Sequence, residues 1–326
     1  MSAWVGRDVL VTGGCGFIGS HLVEALLAAG ARVRVLDLYN AANSRGFLEG
    51  LSHPDLDIRL GDVSDQEFTR DVVAGCDTVF HLAALIGIPY SYVAPGHYVR
   101  VNIGGTLAVL EAVRREGVRR LIHTSTSETY GTAQYTPIDE KHPAVAQSPY
   151  AATKVAADQL AGSYHRSFDV PVVTIRPFNT YGPRQSMRAV LPTVMAQALY
   201  ADEVKVGSVE PRRDMTYVSD TVNGFLLAGA AEGLEGEVYN LGTGVAYSVG
   251  EMIEMVFEVT GERKPVRTDS ERVRPERSEV DELLSDFSRA QDSFGFAPQV
   301  SLLEGLRRLR DHVAESRPTD PTSYTV

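Results

Sequence analysis

Val9-Leu10-Val11-Thr12-Gly13-Gly14-Cys15-Gly16-Phe17-Ile18-Gly19 places glycines between a short apolar run and an amphipathic one. Asp8–Thr12 has the length and β-branched content of a buried strand. Phe17–Ala29 carries Ile18, Leu22, Leu26 and Leu27 at helical spacing. A strand, a glycine turn and a helix in that order form a cradle for a dinucleotide pyrophosphate, because the first turn of the helix offers free amide donors. Gly13 allows the tight turn, Gly16 lets the backbone approach the diphosphate, and Gly19 lets the helix pack closely on the strand. The spacing is G-x-x-G-x-x-G rather than the commoner G-x-G-x-x-G, so the flanking elements carry as much weight as the glycines.

Working outward, Val33–Leu36, Asp57–Leu60, Thr78–Leu82, Leu121–Thr124 and Val170–Ile175 read as further buried strands. Val101–Arg115 and Pro149–Ser167 read as helices. This alternation predicts an α/β fold, a parallel sheet covered by helices on both faces. After Pro177 the pattern loosens, with Pro183, Pro192, Pro211, Pro265 and Pro275 punctuating shorter elements. Asp220–Ala230 and Val249–Val259 still read as helices, with Val238–Asn240 a strand between them. The expected division is a dinucleotide-binding domain over 1–178, rejoined by elements at about 215–245. Residues 179–316 form mainly a smaller substrate-binding α/β region, and the polar, proline-containing stretch 317–326 is a loose tail.

Asp37 ends the second strand, where a carboxylate accepts hydrogen bonds from ribose hydroxyls and repels a 2′-phosphate. That favours NAD over NADP. Asp62 and Val63 follow the third strand and are placed to flank adenine. Leu82, Ala83 and Ala84 end the fourth, where small residues admit the cofactor. His81 reads as a hydrogen-bonded core histidine before a catalytic base, Cys15 as a packing residue, and Arg32 and Arg34 as solvated strand residues.

Net charge is −11, which argues against nucleic acid as a partner. An anionic small molecule needs only a few local arginines. Two cysteines, Cys15 and Cys76, suggest neither a metal site nor a disulfide framework. The N-terminus shows no signal-peptide pattern and no apolar run approaches a membrane span, so the expectation is a cytoplasmic protein with no membrane partner.

Tyr150 and Lys154 lie four apart on one helix face. An ammonium and a nicotinamide cation beside a phenol favour the phenolate and lower the tyrosine pKa towards neutrality. Upstream, Thr126-Ser127-Glu128 ends a strand and can meet the pair across a substrate. Y-x-x-x-K alone is common in helices; it becomes specific after a nucleotide-binding half and a Ser/Thr-rich strand end.

Together, the glycine loop, Thr126-Ser127-Glu128-x-Tyr130-Gly131, Tyr150-x-x-x-Lys154 and Arg176-Pro177-Phe178-Asn179-Thr180-Tyr181-Gly182-Pro183 resemble the extended short-chain dehydrogenase/reductase family, in its nucleotide-sugar-modifying branch. The resemblance covers about residues 8–298. It implies a Rossmann-like doubly wound sheet with a smaller C-terminal substrate region, and a homodimer through a four-helix bundle. It also implies NAD contacts from Phe17, Ile18 and Pro177. Sugar-nucleotide contacts would come from Ile88, Tyr90, Thr126, Asn179, Arg184, Val190, Arg213 and Arg274, with Asn179, Arg213 and Arg274 serving the diphosphate.

Within that branch the longer segments around Leu82–Tyr92, Thr124–Ala133 and Gly182–Val190 most resemble 4,6-dehydratases of the legionaminic-acid type. Glu128 matches the dehydratases' base for the C5 proton, a residue that simple epimerases usually lack. dTDP-glucose dehydratases carry an aspartate acid where this chain has Ser127, as GDP-mannose dehydratases do, and serine is a weak acid. Decarboxylases of UDP-glucuronate also carry Thr-Ser-Glu. A UDP-glucuronate decarboxylase or 4-epimerase, using Arg184 or Arg188 for the C6 carboxylate, is therefore the rival enzyme. A non-catalytic nucleotide-sensing protein is the alternative of another class.

Overall fold

The structure is a computed structural model that describes residues 3–322. β1 (Asp8–Thr12) enters the glycine turn and α1 (Phe17–Ala28) leaves it, followed by β2 (Arg32–Asp37), β3 (Leu56–Leu60), α2 (Gln66–Val73) and β4 (Thr78–His81). Two short helices, α3 (Ile88–Val93) and α4 (Pro95–Tyr98), lead through wide π-type turns at Val99–Gly104 into α5 (Gly105–Glu116). Then come β5 (Arg120–Thr124), α6 (Pro149–Phe168) and β6 (Val172–Pro177).

Later elements are β7 (Asn179–Tyr181), α7 (Val190–Tyr200), β8 (Val204–Val206), β9 (Arg212–Tyr217), α8 (Val218–Ala230) and β10 (Val238–Leu241). The chain ends with β11 (Ala246–Ser248), α9 (Val249–Thr260), β12 (Val266–Thr268), β13 (Glu282–Leu283), α10 (Ser288–Phe294) and α11 (Leu302–Ser316).

Seven parallel strands form the main sheet in the order β10-β6-β5-β4-β1-β2-β3. The order reverses between β1 and β4, the place where a doubly wound sheet opens a crevice at its strand ends. Alternation along β1 shows why both faces are covered. Val9 and Val11 face the core built with α1 and α8, through Leu22, Leu26 and Phe225. Leu10 faces the other way, into a core with Val72, Val109 and Val113 from α2 and α5. β10 returns the late chain to the sheet edge beside β6. A smaller sheet of β11, β9 and β13, with β7 paired to β9, stands over the C-terminal strand ends.

Six helices, α2, α3, α4, α7, α10 and α11, lie where no helix was expected from the sequence. α2 is short and polar, and Asp65 starts it by accepting from the Phe68 amide. α7 is buried on nearly every side, so it lacks an amphipathic period. α11 does carry the signal: Leu302, Leu306, Leu309 and Val313 are buried at helical spacing behind the Ser301 cap. The helix expected from Val101 begins regularly only at Gly105, because wide turns at 99–104 put the Asn102 side chain against Leu85. Arg34 is not simply solvated: its guanidinium donates to the Val72 and Ala74 carbonyls at 2.6 and 3.0 Å. Of the expected loose tail, residues 323–326 lie outside those described. Nearer α11, the Thr322 carbonyl accepts from Arg272.

Candidate active site

Gly13 has φ +70°, and a Cβ on it would stand 2.9 Å from Ala83 Cα. A Cβ on Gly19 would stand 2.1 Å from the Gly13 carbonyl oxygen. Only glycines allow β1, α1 and the loop after β4 to meet this closely. Gly16 begins α1 with no side-chain cap, and the first turn, where Phe17 and Ile18 sit, carries no acidic residue. These amides are open to an anion. Asp37 turns back on this loop, accepting from the Cys15 amide at 2.7 Å and the Leu38 amide at 2.8 Å. Carboxylate lone pairs remain for a ribose.

Asp62 accepts from both the Ser64 amide and hydroxyl, at 2.8 and 2.7 Å. Val63 packs against Gly105. The Leu82–Ala84 stretch closes the cradle over Gly13, and the Ala83 amide is held by Thr12 Oγ1 at 3.1 Å. Pro177 ends β6 at the same edge. The chain thus has the shape and donors of a dinucleotide site. His81 is buried between Thr12 Oγ1 and Thr106 Oγ1, at 2.8 and 3.1 Å, and burial drives its pKa well down. It is a core histidine. Cys15 is buried and its thiol is pushed up to about 12, first by burial and then by Asp37, so it is inert.

Beyond β5 a single helical turn, Ser127–Thr129, is started by Thr126, whose hydroxyl accepts from the Glu128 amide at 3.2 Å. Ser127 and Glu128 are buried. Across from them Ser148 caps α6 and Pro149 begins it, fixing Tyr150 in the first turn. Tyr150 packs edge-on to Tyr98, in a cluster with Ile88 and with Tyr90 at its margin.

Burial raises the Tyr150 pKa, while the Thr126 hydroxyl draws it down and the Glu128 charge pushes it further up. The expected neutral-pH phenolate is therefore not produced by the protein alone. Lys154 is not among the larger influences on that phenol, and its ammonium donates to the Thr124 carbonyl at 2.6 Å. Lys154 is itself pushed down to about 8 by burial, with Asp158 acting against that.

The small sheet brings the other polar groups to the same mouth. Asn179 pairs with Met215, so Arg213 lies two residues away on the adjacent strand. Asn179 Oδ1 is buried without a partner. Arg213 is also buried, with Nη2 3.1 Å from Glu279 Oε1. Arg274 Nη1 lies 3.7 Å from Glu279 Oε1 and 3.9 Å from Glu128 Oε1, with no hydrogen-bond partner. Two arginines thus face the Glu128 turn, with Asn179 on the strand beside Arg213.

Arg184 is not brought to that group. Its backbone has φ +69°, and its guanidinium donates to Ser20 Oγ and Glu24 Oε1 on α1, at 3.1 and 2.7 Å. Val190 begins α7 nearby. The Tyr92 hydroxyl bonds Ser278 Oγ at 2.5 Å. Three residues passed over in the sequence matter here. Asn102 accepts from the Leu85 amide and donates to Thr153, tying the loop after β4 to α6. Glu279 pairs with Arg213 and lies 3.7 Å from Arg274. Asp158 lies under Lys154. Asn102 and Asp158 carried a signal, a polar residue inside an otherwise apolar helical stretch.

Residues 10–309 match the family model for GDP-mannose 4,6 dehydratase. A dTDP-glucose 4,6-dehydratase from Actinoplanes sp. is 34% identical over 310 residues, covering 91% of this chain and 95% of that relative. A UDP-glucose 4-epimerase from Mycolicibacterium smegmatis is 33% identical over 306 residues, covering 92% and 96%. The crystal structure of DesIV, a dTDP-glucose 4,6-dehydratase from Streptomyces venezuelae with NAD bound, superposes with a TM-score of 0.88 at 30% identity, covering 95% and 98% of the two chains. With a glycine cradle, a Tyr150–Lys154 helix and full-length relatives of both reaction types, the chain belongs to the extended short-chain dehydrogenase/reductase family, in its nucleotide-sugar dehydratase and epimerase branch.

Proposed function

We propose that the protein is an NAD-dependent nucleotide-sugar 4,6-dehydratase acting on a UDP- or GDP-linked N-acetylglucosamine or a related hexose. The observation that carries this reading is Glu128, a buried carboxylate on the turn that also presents Thr126 to Tyr150. An epimerase needs only the redox pair. A base beside it has work to do when a proton must leave C5.

NAD, when bound, would supply the acceptor of the C4 hydride, its donor at C6, and a positive charge that favours the Tyr150 phenolate, whose proton would pass to solvent. Tyr150 then takes the proton of the 4-hydroxyl, while Thr126 hydrogen-bonds O4. The 4-ketone acidifies C5–H, and Glu128 takes that proton. The C6–O bond breaks and the hydroxyl leaves as water, with Glu128 the carboxylic acid at hand to protonate it, since Ser127 is too weak an acid. A solvent-derived proton returns to C5. Asn179, Arg213 and Arg274 hold the diphosphate, two arginine charges against two phosphate charges.

The test is a mass-spectrometric screen of nucleotide sugars in D2O. With the exchangeable positions returned to protium, the expected product is about 17 mass units lighter, water lost and one deuterium gained at C5, and failure to dehydrate any UDP-, GDP- or dTDP-hexose overturns the reading. Glu128→Gln should still give the 4-ketone while dehydration falls by ~10²–10⁴-fold. Normal dehydration in that variant would remove Glu128 from the mechanism.

One observation favours the rival reading, a UDP-glucuronate decarboxylase or 4-epimerase. The Arg188 charge reaches Tyr98, which lies edge-on to Tyr150, so a cation is near the reacting end. Release of carbon dioxide from UDP-glucuronate would select the decarboxylase. The proposal extends to a homodimer: α5 and α6 pack side by side, and Val99 and Phe168 flank them half exposed, suiting a four-helix bundle.

A further inference from the structure

Asp158 lies one helical turn beyond Lys154 on α6 and is buried. Its carboxylate is held from two strands. His123 Nε2 lies 3.2 Å from Oδ1, and Ser125 Oγ donates to Oδ2 at 2.8 Å. Arg176 on β6 donates to Oδ2 through Nε and Nη2, at 3.1 and 2.9 Å. His123 and Ser125 flank Thr124, whose carbonyl accepts the Lys154 ammonium at 2.6 Å. Asp158 therefore grips the strand on both sides of the atom to which Lys154 is tied.

The same network reaches past the Thr126–Glu128 turn. Arg176 Nη1 donates to the Tyr130 hydroxyl at 2.9 Å, and that hydroxyl donates to Asn240 Oδ1 at 2.7 Å. Ser125 precedes the turn and Tyr130 follows it. One carboxylate thus connects to both ends of the turn and to the helix that faces it.

We propose that Asp158 is a positioning residue for the Tyr150–Lys154 pair: its fixed buried negative charge keeps Lys154 an ammonium and sets the Thr126–Glu128 turn opposite α6. The charges around Lys154 support this. From α6 itself come Tyr150 and Asp158, from β4 His81, from β5 His123, from β6 Arg176, and from the turn Glu128. His81 and His123 are driven down by burial and stay neutral, and Arg176 is forked onto Asp158. Burial alone would raise Asp158, but the His123 bond and then the Arg176 charge hold it down to about 2. It is ionised at every working pH, the anion that opposes the loss of the Lys154 proton.

The chain has only four lysines, Lys141, Lys154, Lys205 and Lys264, so ¹³Cε-lysine NMR gives four titrating signals. Lys154→Met assigns the one that matters. The full-length protein, with and without NAD, is titrated as wild type, Asp158→Asn and Asp158→Glu. The expected result is a Lys154 midpoint at least one pH unit lower in Asp158→Asn, a tenfold change, and restored in Asp158→Glu. The alkaline limb of kcat/KM should move down with it.

If Asp158→Asn does not fold, Asp158→Asn/Arg176→Gln deletes both buried charges together, and a smaller downward midpoint shift is expected, because the loss of the Arg176 cation partly offsets that of the anion. An unmoved midpoint, with activity lost equally at every pH, overturns the proposal and leaves Asp158 a structural residue. The kinetic arm rests on the proposed nucleotide-sugar reaction. The NMR arm needs no substrate, so failure of either idea shows separately.

Discussion

Lys154→Met tests the electrostatics of the site through folding stability. The Lys154 ammonium is buried and its pKa is pushed from the usual 10.5 to about 8. A displacement of roughly 2.5 units at ~1.4 kcal/mol each is roughly 3 kcal/mol. The sign follows from proton binding. Between pH 8 and 10.5 the unfolded chain holds a proton on this lysine that the folded chain has lost, so stability rises with pH across that window and is flat below it. Methionine keeps the bulk and removes the titration.

The wild type should therefore gain roughly 3 kcal/mol over Lys154→Met between pH 7 and 10.5, with a slope approaching ~1.4 kcal/mol per pH unit. At pH 7 the two effects of the substitution oppose each other. Removing a buried ammonium relieves roughly 3 kcal/mol, and stranding the Thr124 carbonyl costs ~1–3 kcal/mol. The inactive variant should be as stable as the wild type or more so. The measurement is urea unfolding at a series of pH values and one protein concentration, taken as the difference between the two proteins. Other titrations, common to both chains, cancel. A pH-independent difference, or one that shrinks as pH rises, would refute the buried-ammonium reading.

Three further substitutions separate the parts of the site. Gly19→Ala drives a Cβ to 2.1 Å from the Gly13 carbonyl oxygen, so it should destabilise the protein by ~1–3 kcal/mol and weaken NAD binding at least tenfold by calorimetry. Unchanged NAD affinity would mean the cradle lies elsewhere. Under the proposed function, Arg274→Ala removes a charged contact to the diphosphate worth ~1.5–3 kcal/mol, raising KM for the nucleotide sugar ~10–100-fold with kcat nearly unchanged. A fall in kcat alone would instead tie Arg274 to the chemistry through Glu128. Arg184→Ala should leave that KM within about threefold and cost no more than ~1 kcal/mol, since its pair with Glu24 is partly solvated. A large rise in KM would return it to the sugar.

What the chain showed in advance divides by the range of the interaction. The glycine loop and Tyr150–Lys154 are local patterns, and β1, α1 and α6 form where those patterns lie. Arg34, Arg184 and Glu279 were misjudged or missed because their partners come from elsewhere: Val72 and Ala74, Glu24, and Arg213 with Arg274. No spacing within the chain reveals those pairs. Arg184 is turned by a left-handed backbone that its position after Gly182-Pro183 does not announce.

Tyr150 is the most telling instance, because magnitude rather than placement decided it. The helical spacing put lysine and phenol on one face, and that much the fold keeps. The same packing that fixes the pair also removes water, and burial dominates both groups, raising the phenol and lowering the ammonium. Lys154 then answers to Thr124 and Asp158 rather than to Tyr150. The free protein consequently rests with Tyr150 as a phenol, and abstraction of a hydroxyl proton must wait for a charge the chain does not contain. Under the proposed function, that makes proton removal conditional on cofactor binding, so a sugar arriving first meets a site that cannot yet oxidise it.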